Sequence, residues 1–344
     1  MIGARIAGLI ASQGPMPLAE FMALAAGDYY ATRDPFGGGG DFVTAPEISQ
    51  MFGELLGLWI AQSWHDQGKP ARPLLMELGP GRGTLMRDAL RAMKLMPEFH
   101  DQLAVVLVEA SPVLEEAQRA ALKDCGVPMR WSRSFAAEGD RPLYLIANEF
   151  FDALPIHQYV KTGRGWCERM VTLDAQDGLV FALAPTPLPD SRVPANRDGA
   201  PPGGFFEASP MGEALAEEIA HAVARRGGAA LIVDYGYAVP GFGETLQAVK
   251  GHGFGAVLET PGEADLSAHV DFTALGDAAV RGGASVCGPV EQGAFLQSLG
   301  IAHRAGVLGQ LVELERLTGP EQMGMLFKAL AIVPKAAPTP PGFG

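Results

Sequence analysis

The sequence predicts a Rossmann-like α/β fold: a parallel-type sheet covered by helices on both faces, with a helical region before it and a β-rich insertion within it. Three observations carry this. Short, continuous apolar runs at Pro73–Leu78, Leu103–Val108 and Leu143–Ala147 suit strands buried on both sides. Helical patterns at Thr84–Leu95 and Pro112–Leu122 separate them at βαβ spacing. Between the first strand and its helix, Gly79, Gly81 and Gly83 alternate in the turn Glu77-Leu-Gly-Pro-Gly-Arg-Gly-Thr-Leu85.

The elements follow in order. Ala4–Ala11 reads as an ordinary helix: the first 19 residues lack acids, but Arg5 alone is too little basic charge for a transit peptide. Asp34–Asp41, with four consecutive glycines, reads as a flexible loop able to fold over a pocket. A helix then starts at Thr44, with Pro46 in its first turn and Glu47 placed to complete a capping box. Ile48, Met51, Phe52, Leu55, Leu56 and Trp59 give that helix one apolar face, which is core. The sheet segments follow, with a short strand near Met129–Trp131. Residues 158–184 read as β-rich with turns at Thr162–Gly165 and Gln176–Gly178, and Pro185–Gly204 as an exposed proline- and glycine-rich loop. A helix at Gly212–Arg225 leads into strand Ala229–Val233, where the core resumes, and helices near Gly293–Leu299 and Leu308–Leu317 precede a last strand at Phe327–Val333. The expected division is 1–70 for the helical region, 71–155 with 229–344 for the core, and 156–228 for the insertion.

Bulk properties narrow the function. At 344 residues the chain can bury about 75% of its unfolded surface, so no metal or disulfide is needed to complete a core. A net charge of -13 argues against a nucleic-acid surface. Cys125, Cys167 and Cys287 are far apart and fit no zinc or redox spacing, which points to a reducing, cytoplasmic compartment and to no metal site. No stretch is long and apolar enough for membrane insertion.

The glycine turn marks a nucleotide-type cofactor site, since glycines let a ligand approach the backbone and the helix start offers free N–H groups. Its spacing is G-x-G-x-G, not the G-x-G-x-x-G of dinucleotide sites, and Glu77 stands two residues before the first glycine. A carboxylate there repels a pyrophosphate but suits S-adenosylmethionine, with its ammonium and sulfonium. Glu109, ending the next strand, is placed to accept hydrogen bonds from both ribose hydroxyls. Glu77, Gly79, Gly81, Gly83 and Glu109 are therefore the cofactor candidates. An NAD(P)-dependent oxidoreductase is disfavoured by Glu77 and the glycine spacing. A non-catalytic assembly factor retaining the cofactor fold stays open as the alternative.

Several segments together resemble the MidA-like methyltransferases, a family that includes the mitochondrial complex I assembly arginine methyltransferase. They are Asp28-Tyr-Tyr with Arg33-Asp34, Gly40-Asp-Phe-Val-Thr-Ala-Pro-Glu-Ile-Ser-Gln-Met-Phe-Gly-Glu-Leu56, the glycine turn, Asn148-Glu-Phe-Phe-Asp-Ala-Leu-Pro155, Asp234-Tyr-Gly-Tyr237 and Ala264-Asp-Leu-Ser-Ala-His-Val-Asp-Phe272. The resemblance implies a Rossmann-like class I methyltransferase, a protein partner bearing a target arginine and, for the mitochondrial members, symmetric dimethylation in a complex I subunit.

A guanidinium is a poor nucleophile, being always protonated with its charge delocalised. Its site needs carboxylates that hold the planar fork and aim one nitrogen at the methyl group. Glu149, just past strand Leu143–Ala147, is the strongest catalytic candidate, with Asn148 and Asp152 beside it. Asp152 reads equally as a cap for a following helix, and Asn148 as a satisfied strand end. Thr44, Glu47, Tyr235 and His269 are substrate-pocket candidates, against readings as a cap, a capping-box residue, a sheet-edge aromatic and a core histidine. Asp271 reads as a pocket residue or a helix cap.

Overall fold

The computed structural model describes residues 2–32, 44–136, 139–194, 197, 199–251 and 253–344. The expected loop Asp34–Asp41 lies outside these residues. Seven strands form the central sheet: β1 (Leu74–Leu78), β2 (Ala104–Val108), β3 (Met129–Ser132), β4 (Leu143–Asn148), β5 (Gly228–Tyr237), β6 (Ser285–Glu291) and β7 (Phe327–Val333). Their order is β3-β2-β1-β4-β5-β7-β6, and the short strand Val270–Asp271 adds to the end of β5. The first five are parallel, whereas β7 runs antiparallel between β5 and β6.

Alternate residues of each strand feed two separate cores, as a doubly covered sheet requires. Leu75, Val105, Leu107, Tyr144, Ile146 and Leu231 pack with the helices Gln50–Asp66 and Thr84–Met93 on one face. Met76, Val106, Leu145, Ala147 and Ile232 pack with Pro210–Arg226 and Phe272–Arg281 on the other. The helix Pro210–Arg226, read from sequence as the end of the insertion, is thus the crossover between β4 and β5. It extends two residues before the expected Gly212 because Ser209 caps it, accepting the Gly212 N–H at 3.3 Å with Pro210 in the first turn.

The helix expected from Thr44 is broken in two. Ala45–Ile48 makes one turn, and Ser49, in extended backbone, restarts the chain by accepting the Met51 N–H at 3.1 Å before Gln50–Asp66. Thr44 makes no side-chain cap and Glu47 no capping box; its carboxylate instead accepts the Thr84 hydroxyl at 2.6 Å. The long helix lies against Thr84–Met93 at close range because Gly57 is bare: a Cβ there would sit 2.6 Å from the Ala89 Cα.

The helices Ile2–Gln13 and Leu18–Thr32 do not join this core. Ile6, Leu18, Phe21 and Met22 pack with Val171, Leu246 and Leu266 of the inserted sheets. The main inserted sheet orders Met16–Pro17, Gly165–Leu173, His157–Thr162 and Phe205–Ala208, with Leu179–Leu183 also on Gly165–Leu173, all antiparallel. A three-stranded sheet, Gly253–Gly255, Gln247–Lys250 and Asp265–Ser267, also follows β5. The loop Pro185–Gly204 is not wholly exposed: Arg197 is buried, donating to the Gly241 carbonyl at 2.9 Å and pairing with Asp271 at 3.5 Å. Near the C-terminus the helix expected at Leu308–Leu317 is Leu311–Thr318, and a further helix, Ile301–Leu308, precedes it, the two separated at Gly309 with φ 70°.

Candidate active site

Strand order reverses between β1 and β4, and in open α/β sheets the crevice beyond the strand ends at that point takes the ligand. A cleft lies there, lined by Thr44, Glu47, Glu77, Gly79, Gly81, Arg82, Thr84, Asn148 and Glu149. A larger cavity of about 220 Å³ sits under the inserted sheet, lined by Phe206, Tyr237 and Val270, and includes His269 but neither the glycine turn nor Glu149. Strand topology and chemistry, rather than size, single out the first.

The glycine turn depends on conformations that side chains resist. Gly79, Gly81 and Gly83 have φ of 61°, 52° and 81°, and a Cβ on Gly79 would stand 2.9 Å from the Phe150 ring. The turn is tied by Gly79 N–H donating to the Val108 carbonyl at 3.1 Å and Gly83 N–H to that of Pro80 at 2.8 Å. Glu77 is buried at the end of β1, and its Oε2 has no hydrogen-bond partner. Burial, followed by the Glu109 charge, pushes its pKa up to about 8. Glu109 is half-buried: its Oε1 accepts the Ser111 N–H at 2.8 Å and its Oε2 the Gln118 amide at 3.0 Å. Burial raises its pKa against those two bonds.

The second group is built on the end of β4. Glu149 is a non-glycine residue at φ 50°, a sparsely populated conformation that costs about 1 kcal/mol or more and turns the chain sharply out of the strand. Its Oε1 accepts the Ala45 N–H at 3.2 Å and the Asn148 amide at 3.1 Å. Burial first, then the Asp152 charge, raises its pKa to about 7. Asp152 starts no helix; its Oδ2 accepts the Tyr235 hydroxyl at 2.5 Å, while Oδ1 is buried without a partner, and burial lifts its pKa to about 6. The Asn148 Oδ1 is likewise buried and unpartnered.

Asp234 holds this turn in place. Its Oδ2 accepts the N–H groups of Phe150, Phe151 and Asp152 at 3.0–3.2 Å, and its Oδ1 that of Tyr235 at 2.9 Å. Burial and then the charges of Asp152 and Glu149 push its pKa well above the usual range. The Tyr235 ring packs edge-on against His269 at 5.5 Å and Phe327 at 5.4 Å. His269 meets this cluster at the Tyr235 ring, and burial lowers its pKa. Asp271 caps Phe272–Arg281, accepting the Ala274 N–H at 3.0 Å.

The structure therefore places Thr44, Glu47, Glu77, Gly79, Gly81, Asn148 and Glu149 on one cleft, with Asp152 and Tyr235 behind Glu149 and His269 one ring further out. Two residues had escaped the sequence reading. Asp234 sat in the quoted Asp234–Tyr237 motif without a role. Gln118 is fully buried in the helix Pro112–Leu122, and its polar character between Leu114 and Leu122 on the buried face was the available signal. Among the described residues no group of His, Cys, Asp and Glu is arranged to hold a metal, and no helix is long and apolar enough to cross a membrane.

Comparisons with known proteins agree with this geometry. The model of a family of S-adenosyl-L-methionine-dependent methyltransferases matches residues 55–290. The protein arginine methyltransferase NDUFAF7, mitochondrial, of Homo sapiens is 36% identical over 94% of this chain and 81% of its own. The Mus musculus protein of the same name is 37% identical over 94% and 82%. A Burkholderia thailandensis protein crystallised bound to S-adenosyl-homocysteine superposes with a TM-score of 0.87 at 28% identity, covering 99% of this chain and 93% of that one. These relatives overturn the cytoplasmic placement, since they are named as mitochondrial proteins. Free cysteines report a reducing environment, not which compartment provides it. The fold, the matched segment and these relatives establish that the chain belongs to the family of S-adenosyl-L-methionine-dependent methyltransferases.

Proposed function

We propose that this methyltransferase acts on the guanidinium of an arginine in a partner protein, with Glu149 as the residue that holds it. The observation that carries the reading is a set of buried acceptors without donors along one edge: Glu77 Oε2, Asn148 Oδ1 and Asp152 Oδ1. Buried polar groups are rarely left unpaired, and three acceptors of this kind call for ligands rich in N–H and positive charge. Glu77 fits the ammonium end of the cofactor, and Glu109 its ribose diol. Asn148, Glu149 and Asp152 fit a second cation. The relatives named as protein arginine methyltransferases support an arginine in that place.

When bound, the cofactor supplies an electrophilic methyl group on a sulfonium, and the residues supply orientation and electrostatics. Transfer of that methyl group from sulfur to the arginine nitrogen would leave the nitrogen with one proton to release. Glu149 takes a bidentate hold on the guanidinium through its carboxylate, already oriented through Oε1 by the Ala45 N–H and Asn148. The same Glu149 carboxylate, which faces the cleft, receives the released proton, and a carboxyl with a pKa near 7 suits that role at neutral pH, with Asp152 behind it. Asp234 and Tyr235 fix Asp152 from behind. In its finer form the proposal is symmetric dimethylation in a respiratory complex I subunit.

Mass spectrometry of proteins from cells with and without this chain tests the reading. A methylarginine lost with the chain supports it, and its recovery as the symmetric dimethyl form on a complex I subunit supports the finer version. Loss of methylation on another residue type, or no loss, overturns it.

A further inference from the structure

We infer that Gln118 is a positioning residue for the cofactor, setting the spacing between the glycine turn and the ribose-binding carboxylate. The side chain is fully buried, and its amide makes three hydrogen bonds. Nε2 donates to the Gly81 carbonyl at 2.7 Å and to Glu109 Oε2 at 3.0 Å, while Oε1 accepts the Trp131 indole N–H at 2.8 Å. The indole can only donate, so it fixes which end of the amide faces it and commits both amide protons to the cofactor side. One rigid group thus joins the turn after β1 to the end of β2, the two walls between which an adenosine must fit.

Its surroundings hold Gln118 in place. Trp131 is itself covered by the Arg119 guanidinium, 3.9 Å above the ring. The Gly83 end of the turn lies directly against Gln118, since a Cβ there would be in ordinary contact with the Gln118 Cα and Cγ at 3.5 Å. A hydrogen-bonded amide at this position therefore does more than fill the core, for which a leucine between Leu114 and Leu122 would serve. It holds Glu109 so that the carboxylate presents its remaining lone pairs to a vicinal diol, and it stops the Gly81 carbonyl from rotating into the cleft.

The inference rests on the assignment of Gly81 and Glu109 to the cofactor, and is independent of which substrate is methylated. Its test is calorimetric titration of the full chain with S-adenosyl-homocysteine. Gln118→Met keeps the volume and removes both donors; the Kd should rise at least ~10-fold, the scale of two lost hydrogen bonds to buried or charged acceptors. On a Glu109→Ala background the same change should raise it by a clearly smaller factor, because the part acting through Glu109 is gone and only the bond to the Gly81 carbonyl remains to be lost. Gln118→Glu keeps the acceptor for Trp131, guarding against a Met variant that fails to fold. It places a carboxylate against Glu109 and the Gly81 carbonyl, with Glu115 and Arg119 on the same helix. Its Kd relative to wild type should be larger at pH 8 than at pH 6, where protonation restores one donor. A purely structural role predicts neither the coupling nor that pH dependence. Wild-type affinity in Gln118→Met, or the same fold-loss with and without Glu109, overturns the inference. Wild-type affinity in Glu109→Ala instead overturns the cofactor assignment beneath it.

Discussion

With Glu149 proposed for the substrate and Glu77 for the cofactor, single substitutions separate the two roles. Glu149→Gln keeps size and one acceptor for the Ala45 N–H and Asn148 amide but removes the charge and the second acceptor proposed to hold the substrate cation. Turnover should fall at least ~100-fold, about 2.7 kcal/mol of transition-state stabilisation, with cofactor affinity nearly unchanged. Native-rate methylation by this variant would make Glu149 a structural residue. Glu77 carries a pH dependence whose sign follows from burial. Its native pKa of about 8 lies above the ordinary 4.5, so the native state holds more protons than the unfolded state between those values, and stability falls as pH rises through them. Glu149, at about 7, and Asp152, at about 6, act in the same direction over narrower windows. Thermal unfolding of the free protein should thus show a melting temperature that declines from pH 5 to 8, with a shallower decline in Glu77→Gln. Affinity for S-adenosyl-homocysteine should run the opposite way, because its ammonium favours the ionised carboxylate. A pH-independent affinity would remove Glu77 from the ammonium site.

Two elements decide whether those residues meet at all. The helix Gln50–Asp66 carries the turn Ala45–Ile48 at its start, which brings the Ala45 N–H to Glu149 and Glu47 to Thr84. Its seat is set by Gly57 against the Ala89 backbone, which cannot swing away as a side chain would. Gly57→Ala should therefore cost about 1–3 kcal/mol in chemical denaturation, the usual range for overpacking, despite the better helix propensity of alanine. Turnover should drop with it, since the Ala45 N–H moves with the helix. A stabilised Gly57→Ala protein would mean that the two helices are free to part. The glycine turn is the second element: Gly81→Val, at φ 52°, should abolish S-adenosyl-homocysteine binding while far-ultraviolet circular dichroism stays native.

For the whole molecule, the net charge of -13 shapes encounter with a partner. An arginine-bearing segment meets an acidic protein whose cleft is itself lined with Glu47, Glu77 and Glu149. Capture should be steered by this field, so the association rate of a basic substrate protein should fall as ionic strength rises from 0.05 to 0.5 M, on the order of the shrinking Debye length. Stopped-flow rates independent of salt would place recognition in contacts other than charge. The inserted sheets and the first two helices form a core of their own, joined through residues such as Val171 and Leu266, beside the methyltransferase core.

Much of this was written in local sequence. Apolar runs and their spacing specified β1, β2 and β4, because a strand buried on both faces needs apolar residues at every position. Glycines at 79, 81 and 83 after Glu77 specified a tight turn open to the cleft, since backbone freedom and one charge are local properties. Other features were decided only when distant segments met. The antiparallel insertion of β7 between β5 and β6 depends on pairing that no single strand encodes. Glu47 closes no capping box and instead accepts the hydroxyl of Thr84, 37 residues away, which only the packing of the two helices brings to it. Asp234 became the anchor of the Glu149 turn, 85 residues earlier in the chain, because β5 lies beside β4 and puts its carboxylate under three N–H groups at once. The sequence by itself determined the elements and the kind of chemistry; folding decided which carboxylates lost water together. Periodicity and backbone freedom act between neighbours in the chain, whereas burial, charge coupling and unpaired acceptors act between neighbours in space.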